Sequence, residues 1–283
     1  MQKKKTEEAI YWSMRIVSYF IVAVIAYIIF DILRNGLPVI SWEFLTAPPR
    51  RSGAEGGIFP AIAGTLYLVL GTIAIAMPLG TASAIYLSEY AKQGMFTRFV
   101  RLAIVTLAGV PSIVFGLFGL GLFVLFLQFG SSILAGSLTL ACMILPTIIV
   151  SSEEALRAVP QSLREGSLAL GATKWETICK NVLPYSIPGM LTGAILGIGR
   201  AAGETAPILL TVAAFFLPRL PSSIFDQVMA LPYHLYVLAT QHPAAAKVRP
   251  MQYGTALVLL ALVLGVSLAA ILIRSHFRKK YQW

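Results

Sequence analysis

The sequence predicts an all-α integral membrane protein with six transmembrane helices. Three observations carry this reading. Of the 283 residues, 57% are hydrophobic and 12% are charged, against about 25% charged in an average soluble domain. Mean hydropathy is +0.79. Apolar stretches long enough to cross roughly 30 Å of hydrocarbon, which takes about 20 helical residues, recur along the chain.

The six stretches lie at about 12–33, 60–87, 102–127, 131–151, 187–216 and 254–274, and residues 1–283 read as a single transmembrane domain. The first follows Lys3, Lys4 and Lys5. Its apolar run exceeds the usual ~7–15 residues of a signal peptide and "DILRNGLPVI" offers no small-residue cleavage site, so it reads as a retained anchor. Asp31, near its outer end, is expected to pair with Arg34 or water. The later stretches contain or end on Pro78, Pro111, Pro146, Pro188 and Pro207, which membrane helices tolerate as kinks because neighbouring groups satisfy the freed carbonyls. The fifth also carries Gly189, Gly193, Gly197, Gly199 and Gly203, three small-xxx-small pairs. That spacing predicts close backbone approach to another helix.

Basic residues in the loops set the orientation, because they stay on the cytoplasmic side. With the amino terminus inside, the inner segments hold 15 Lys and Arg, the outer loops hold 6, and Arg200 lies in a span. Both termini are therefore placed in the cytoplasm. The net charge of +10 is then mainly a topology signal. It does not mark a nucleic-acid surface, since the basic residues are scattered with little aromatic interleaving. Cys142 and Cys179 fall in different compartments of this topology and have no metal-ligand spacing.

"GIGRAAGETAPILL", residues 197–210, places Arg200 and Glu204 inside the fifth span. An isolated charge near the bilayer centre costs about 2.5–3.5 kcal/mol, so neither side chain can face lipid. A spacing of four puts both on one helical face within pairing reach. A neutralising pair that fixes helix packing meets this spacing, and so does a transport role; ionisable residues in spans mark pathways, which favours transport. Arginine presents a planar fork that binds phosphate-like oxyanions in a bidentate manner and stays charged when buried. Pro207 cannot donate to the carbonyl of Gly203, so a kink is expected beside Glu204, with the hydroxyls of Thr205 and Thr211 as further donors. Glu204 either gates Arg200 or balances its charge.

Two stretches are soluble: an inner segment at about 152–184 and a proline-rich outer loop at about 217–252. In the inner one, Leu163, Leu168, Leu170, Trp175, Ile178 and Val182 stand among charges. A short helix is predicted from Gln161 to Leu170, started by Pro160 and stopped by Gly171. Such a helix suits either a partner's groove or the membrane surface. No G-x-x-x-x-G-K-[ST] occurs in the chain, so nucleotide energy must come from a partner.

From Glu165 the order is Glu165, Gly166, Ser167, three residues, Gly171, nine residues, Asn181, Val182, Leu183, Pro184. This resembles the EAA loop of ABC importer permeases, E-A-A-x3-G-x9-I-x-L-P. Gly166 and Ser167 replace the two alanines and Asn181 replaces the isoleucine; glycine loosens a helix by about 1 kcal/mol relative to alanine. The stretches "SWEFLTAPPR", "GGIFPAIAGTLYLV", "EEALRAVPQSLREGSLALGATKW", "GRAAGETAPILLT" and "MALPYHLYVLAT" are similar to the A-type permease branch of phosphate-specific (Pst) importers.

That resemblance implies a type I ABC importer permease fold in the inner (cytoplasmic) membrane. It implies ATPase contacts at Glu165, Gly166, Leu168, Gly171, Leu183 and Pro184, with no cofactor on this chain and ATP and Mg on the ATPase. The implied partners are a homologous PstC-type permease subunit, a PstB-type ATPase dimer and an external phosphate-binding protein, with Arg200, Glu204 and Thr205 on the substrate path. The glycine-rich face is expected at or near the interface with the second permease subunit. Three other readings compete. A permease for sulfate or molybdate shares the anion chemistry, and a non-transporting scaffold shares the inner loop but leaves Arg200 and Glu204 unexplained. An intramembrane serine protease lacks its base, since His234, His242 and His276 all fall outside the spans.

Overall fold

The computed structural model describes residues 2–53 and 55–280. Met1, Ala54 and residues 281–283, all within the single domain expected from the sequence, lie outside the described residues. Five helical segments are long and apolar enough to cross a membrane: Ile10–Val39, Phe59–Tyr90, Ile133–Ala158, Lys174–Gly203 and Arg249–Lys279. They are built on α1 (Gln2–Gly36), α3 (Phe59–Ile85), α6 (Ile133–Ala158), α9 (Leu183–Gly203) and α12 (Arg249–Lys280). Shorter helices are α2 (Trp42–Thr46), α7 (Gln161–Ala169), α8 (Lys174–Thr177), α10 (Ala206–Thr211) and α11 (Leu231–Thr240).

The third apolar stretch departs from the straight span expected at 102–127. It is a pair, α4 (Met95–Leu107) and α5 (Ser112–Gly119), the latter continued by π-helical turns at Leu120–Phe126, with a bend of 103° between them. Pro111 precedes α5 in an extended conformation (φ −58°, ψ 140°). It lacks an N–H and disfavours helix at Val110, which breaks the ladder at that point. Thirteen residues give α4 a length of only about 20 Å. The helix is amphipathic, with Met95, Phe96, Phe99, Leu102 and Val105 exposed along one side.

α6 is the centre of the bundle, and α3 and α9 lie along it. The small-residue stripe of α9 sets the closest approach. A Cβ on Gly189 would come 2.5 Å from that of Ala155, one on Gly193 would collide with the Ser151 hydroxyl, and one on Gly197 would lie 3.3 Å from Ile144. This stripe therefore packs on α6 of the same chain, which corrects the expectation that it faces a second permease subunit. Gly199 and Gly203 lie off it; a Cβ at 199 meets Ser267 at 3.7 Å and one at 203 meets nothing within 4 Å. Leu68, Leu140, Ile144, Ile148, Ile208 and Val212 fill the core that results.

α1 packs against α12. Asp31 accepts hydrogen bonds from Tyr253 Oη at 3.0 Å and Asn35 Nδ2 at 2.9 Å. The expected Asp31–Arg34 pair does not form, because packing of α1 on α12 brings Tyr253 to the carboxylate. At the same end, the loop after α10 closes over the start of α6. Ser132, Ile133 and Leu134 donate their N–H groups to the carbonyls of Thr211, Asp226 and Ile224, and Ala135 donates to Ser132 Oγ. These contacts satisfy donors that a helix start otherwise leaves open. The segment 217–252, expected from the sequence to be an outer loop, contains a helix, α11, whose Leu231 and Leu238 pack with Ile58, Ala61 and Val248.

Beneath a two-stranded hairpin, Pro49–Arg50 paired with Glu55–Gly56, lies His234 of α11. It is 1% exposed, its two ring nitrogens have no partner among the described residues, and its Cε1 sits against Gly53. Burial pushes its pKa down from 6.5 to about 4. At the α7 end the charges are paired instead. Glu153 accepts from Arg101 Nε at 2.8 Å and Arg157 Nη2 at 2.6 Å, and Arg101 also donates to the Leu87 carbonyl. This joins α4 to α6 and to the end of α3.

Two predictions follow from this packing. Packed among its neighbours, His234 is neutral; where α11 opens locally, the imidazole recovers its ordinary pKa and binds a proton. The packing of α11 is therefore fully stable above pH 6.5 and weakens as pH falls toward about 4, by about 3 kcal/mol in total. Hydrogen exchange of residues 231–240, corrected for intrinsic rates, will show this loss, and His234→Leu will flatten it. On α9, Gly193→Ala will lower the stability of the purified protein by about 1–3 kcal/mol through overpacking. Gly203→Ala, facing open space, will leave the thermal midpoint within roughly 1 °C.

Candidate functional site

The fifth apolar stretch is not one span of 187–216. α9 ends at Gly203, Glu204 is extended (φ −74°, ψ 134°), and α10 restarts at Ala206 with Pro207 at its second position. The kink expected at Pro207 is a complete break. Gly199, inside the last turn, weakens it by about 1 kcal/mol relative to alanine. Pro207 offers no N–H to extend the ladder, while at the second position of a new helix that N–H has no intrahelical partner in any case.

Arg200 lies in the last turn of α9, where the free carbonyls favour a cation. Its Nε is 3.4 Å from Glu204 Oε1, a long contact made by one edge of the guanidinium. The terminal Nη groups have no acceptor among the described residues. The Arg200 side chain is 37% exposed and that of Glu204 16%. Glu204 turns inward, bordering a small void lined by Thr65, Leu68, Leu140, Ile208 and Pro232. Leu68 and Leu140 lie about nine and seven residues into α3 and α6, roughly 10–14 Å from the helix starts. The pair is therefore well inside the helical body, with its carboxylate covered and its guanidinium opening outward.

The Thr205 hydroxyl, beside this break, has no partner among the described residues. Thr211 is different. Its Oγ1 is buried and donates to the Pro207 carbonyl at 2.8 Å, so it is withdrawn from the set of anion donors expected from the sequence.

The residues of the EAA-like segment divide into two groups. Glu165, Gly166 and Leu168 are exposed on α7, and Leu170 and Trp175 stand out beside them at 90% and 59% exposure. Gly171 ends the helix in the left-handed region, φ +85°, a conformation that suits glycine. Leu183 packs into the cluster around Ala84, Leu156 and Val182. Pro184 is half-buried in the first turn of α9. These two seat the helix rather than presenting a surface.

Sequence reasoning missed the charged residues that hold this end together. Arg164, on α7, is 13% exposed and pairs with Glu89 at 2.9 Å. It also donates to the Leu156 and Val159 carbonyls at the end of α6. The i,i+4 spacing of Glu153 and Arg157 was open to reading. Arg101 to Glu153 and Glu89 to Arg164 span 52 and 75 residues, and no local pattern reports such pairs.

Comparison with known proteins places this arrangement. Residues 76–282 match the model of the family described as binding-protein-dependent transport system inner membrane component. A probable ABC transporter permease protein, YqgI of Bacillus subtilis, is 34% identical over 85% of this chain and 86% of its own length. The phosphate transport system permease protein PstA of Mycobacterium leprae is 41% identical over 75% and 69%. Among solved structures, a bacterial alginate ABC transporter in complex with its pentasaccharide-bound periplasmic protein superposes with TM-score 0.66 at 14% identity, over 99% of this chain and 97% of that one. A methionine ABC transporter, MetNI, gives TM-score 0.59 at 19% identity over 78% and 94%. The chain belongs to the family of binding-protein-dependent transport system inner membrane components, the permease subunits of ABC importers.

Proposed function

We propose that this chain forms half of the translocation pathway of an ATP-driven importer for inorganic phosphate. The observation that carries the reading is the half-open guanidinium of Arg200. Glu204 holds it through Nε at 3.4 Å, which leaves the Nη edge for two oxygens of an arriving oxyanion. The side chain opens away from this chain's core, so a second permease subunit, PstC-type by resemblance, closes the pathway over it. Phosphate as the cargo is supported by relatives named phosphate permeases at about 40% identity.

Glu204 gives the site its way of letting go. A cation free of any carboxylate would hold a dianion too tightly, whereas a carboxylate at the other edge of the same guanidinium repels it and offers the arginine a replacement partner. Thr205, with no partner among the described residues, adds a neutral donor in the break. External phosphate-binding protein delivers the anion, and a PstB-type ATPase dimer carrying ATP and Mg docks on the exposed side of α7, where Glu165, Leu168, Leu170 and Trp175 face outward. The excess of basic residues in the segments on the α7 side supports a cytoplasmic location for both termini and α7.

In the assembled complex, Arg200→Ala will lower phosphate uptake roughly tenfold or more, and Arg200→Lys will recover only part of it, because an ammonium lacks the fork. Glu204→Gln will keep binding but slow turnover about tenfold or more. Native uptake in all three variants sinks the assignment. Reporter fusions that are active only in the cytoplasm will be active at both termini.

A further inference from the structure

α7 is held to the bundle mainly by polar contacts. It contributes no fully buried residue, and Leu163 is half-buried against the cluster of Leu156, Val159 and Val182. On one side Arg164 fixes it to Glu89 and to the end of α6. On the other, Asn181 Nδ2 donates to Ser167 Oγ at 2.8 Å, and Ser167 Oγ lies 2.9 Å from the buried hydroxyl of Thr177. Ser167 and Asn181 are two of the three positions at which this chain departs from the EAA pattern. Fourteen residues apart, they depart together and bond to each other.

The covalent connection between the two helices is short. It runs through Gly171, at φ +85°, where the Gly171 and Ala172 N–H groups donate to the Leu168 and Ser167 carbonyls and Thr173 caps the next helix with Glu176; the side-chain bonds of Ser167 add a second tie between the two helices. That next helix is continuous from Lys174 to Gly203, through α8, the π-helical turns Ile178–Val182 and α9. Asn181 is on it, and Arg200 is 19 residues further along, about 28 Å away.

We propose that Ser167 and Asn181 are positioning residues for coupling. Their hydrogen bond, shared with Thr177, makes α7 and the helix Lys174–Gly203 move as one body, so a displacement of α7 reaches the end that carries Arg200 and Glu204. This rests on the docking of an ATPase at α7 proposed above. Thr177, buried, keeps the joint aligned, and Arg164 is the counter-anchor that ties α7 to α3 and α6.

A double-mutant cycle on the assembled complex tests this in a Thr177→Val background, which removes the third hydroxyl of the joint, using Ser167→Ala, Asn181→Ile and the two combined. Removing one partner leaves a half-buried polar group unmatched, while replacing both by apolar groups is nearly neutral. Spin labels on cysteines at Ser162 and Leu196, with Cys142 and Cys179 replaced by alanine, read the separation of α7 from α9 without any cargo. Phosphate moved per ATP hydrolysed reads coupling. In the parent the separation stays narrow with and without ATP. Each single variant will broaden it and lower the transport ratio about threefold or more, with the ATPase still co-purifying, and the double variant will return both to within about twofold. Native values in the single variants, or a double loss equal to the product of the single losses, overturn the proposal. A parent that keeps its narrow separation but moves no phosphate counts against the cargo assignment and leaves the joint standing.

Discussion

Close packing of α9 on α6 is the contact on which the rest of the molecule depends. Where Gly189, Gly193 and Gly197 meet Ala155, Ser151 and Ile144, the two backbones come closer than side chains allow. In a membrane no hydrophobic force drives one helix onto another, so van der Waals contact over such a stripe is what holds the pair in register. Register is the functional quantity. With α9 locked against α6, its broken end brings Glu204 to the void that Leu68 and Leu140 also border, and the helical turns before it bring Asn181 within hydrogen-bond distance of Ser167.

Charges are then distributed by what each end of the bundle can satisfy. Near α7, Glu153, Arg101, Arg157, Glu89 and Arg164 form pairs at 2.6–2.9 Å that also occupy backbone carbonyls. Such half-buried pairs are weak evidence for stability, because desolvation offsets much of the attraction; their effect is to join α3, α4, α6 and α7 at defined points. Arg200 and Glu204 are held more loosely, at 3.4 Å and with donors left open. The transport role proposed for this pair requires it to exchange partners, and a loose pair in a helix break does so at lower cost than a tight one.

The two breaks in the bundle share a cause. Pro111 and Pro207 each follow or accompany glycine and stand where a long apolar run would otherwise continue as helix. The resulting short helices, α5 and α10, pack against each other, with Gly116 of α5 lying against the Ala206–Pro207 backbone, so protein covers the break after Glu204, while Gly109 and Pro111 at the other break are exposed. Irregular backbone at membrane depth is tolerated where protein covers it. His234 is the counterpart outside the spans. It is a buried imidazole with no partner among the described residues, its pKa lowered by burial, and it lies against Gly53 of a hairpin that has glycine at φ +87° at both 53 and 56.

The membrane-spanning helical class, the glycine stripe, the short helix at 161–169 with its stop at Gly171, and the pairing of Arg200 with Glu204 were legible in the sequence, although Glu204 lies beyond the helix and not on its face. Each rests on a local period or on a charge in an apolar run, and the physical penalty behind it acts within a few residues. The bend of 103°, the end of α9 at Gly203 and the ion pairs 52 and 75 residues apart were not. Neither was the partner of the glycine stripe. A spacing of four specifies a flat face but not which helix lies on it, and a proline interrupts a ladder without fixing the angle that follows. Those outcomes depend on which surfaces of the whole bundle must be covered from lipid, and that condition exists only once all the helices are in contact.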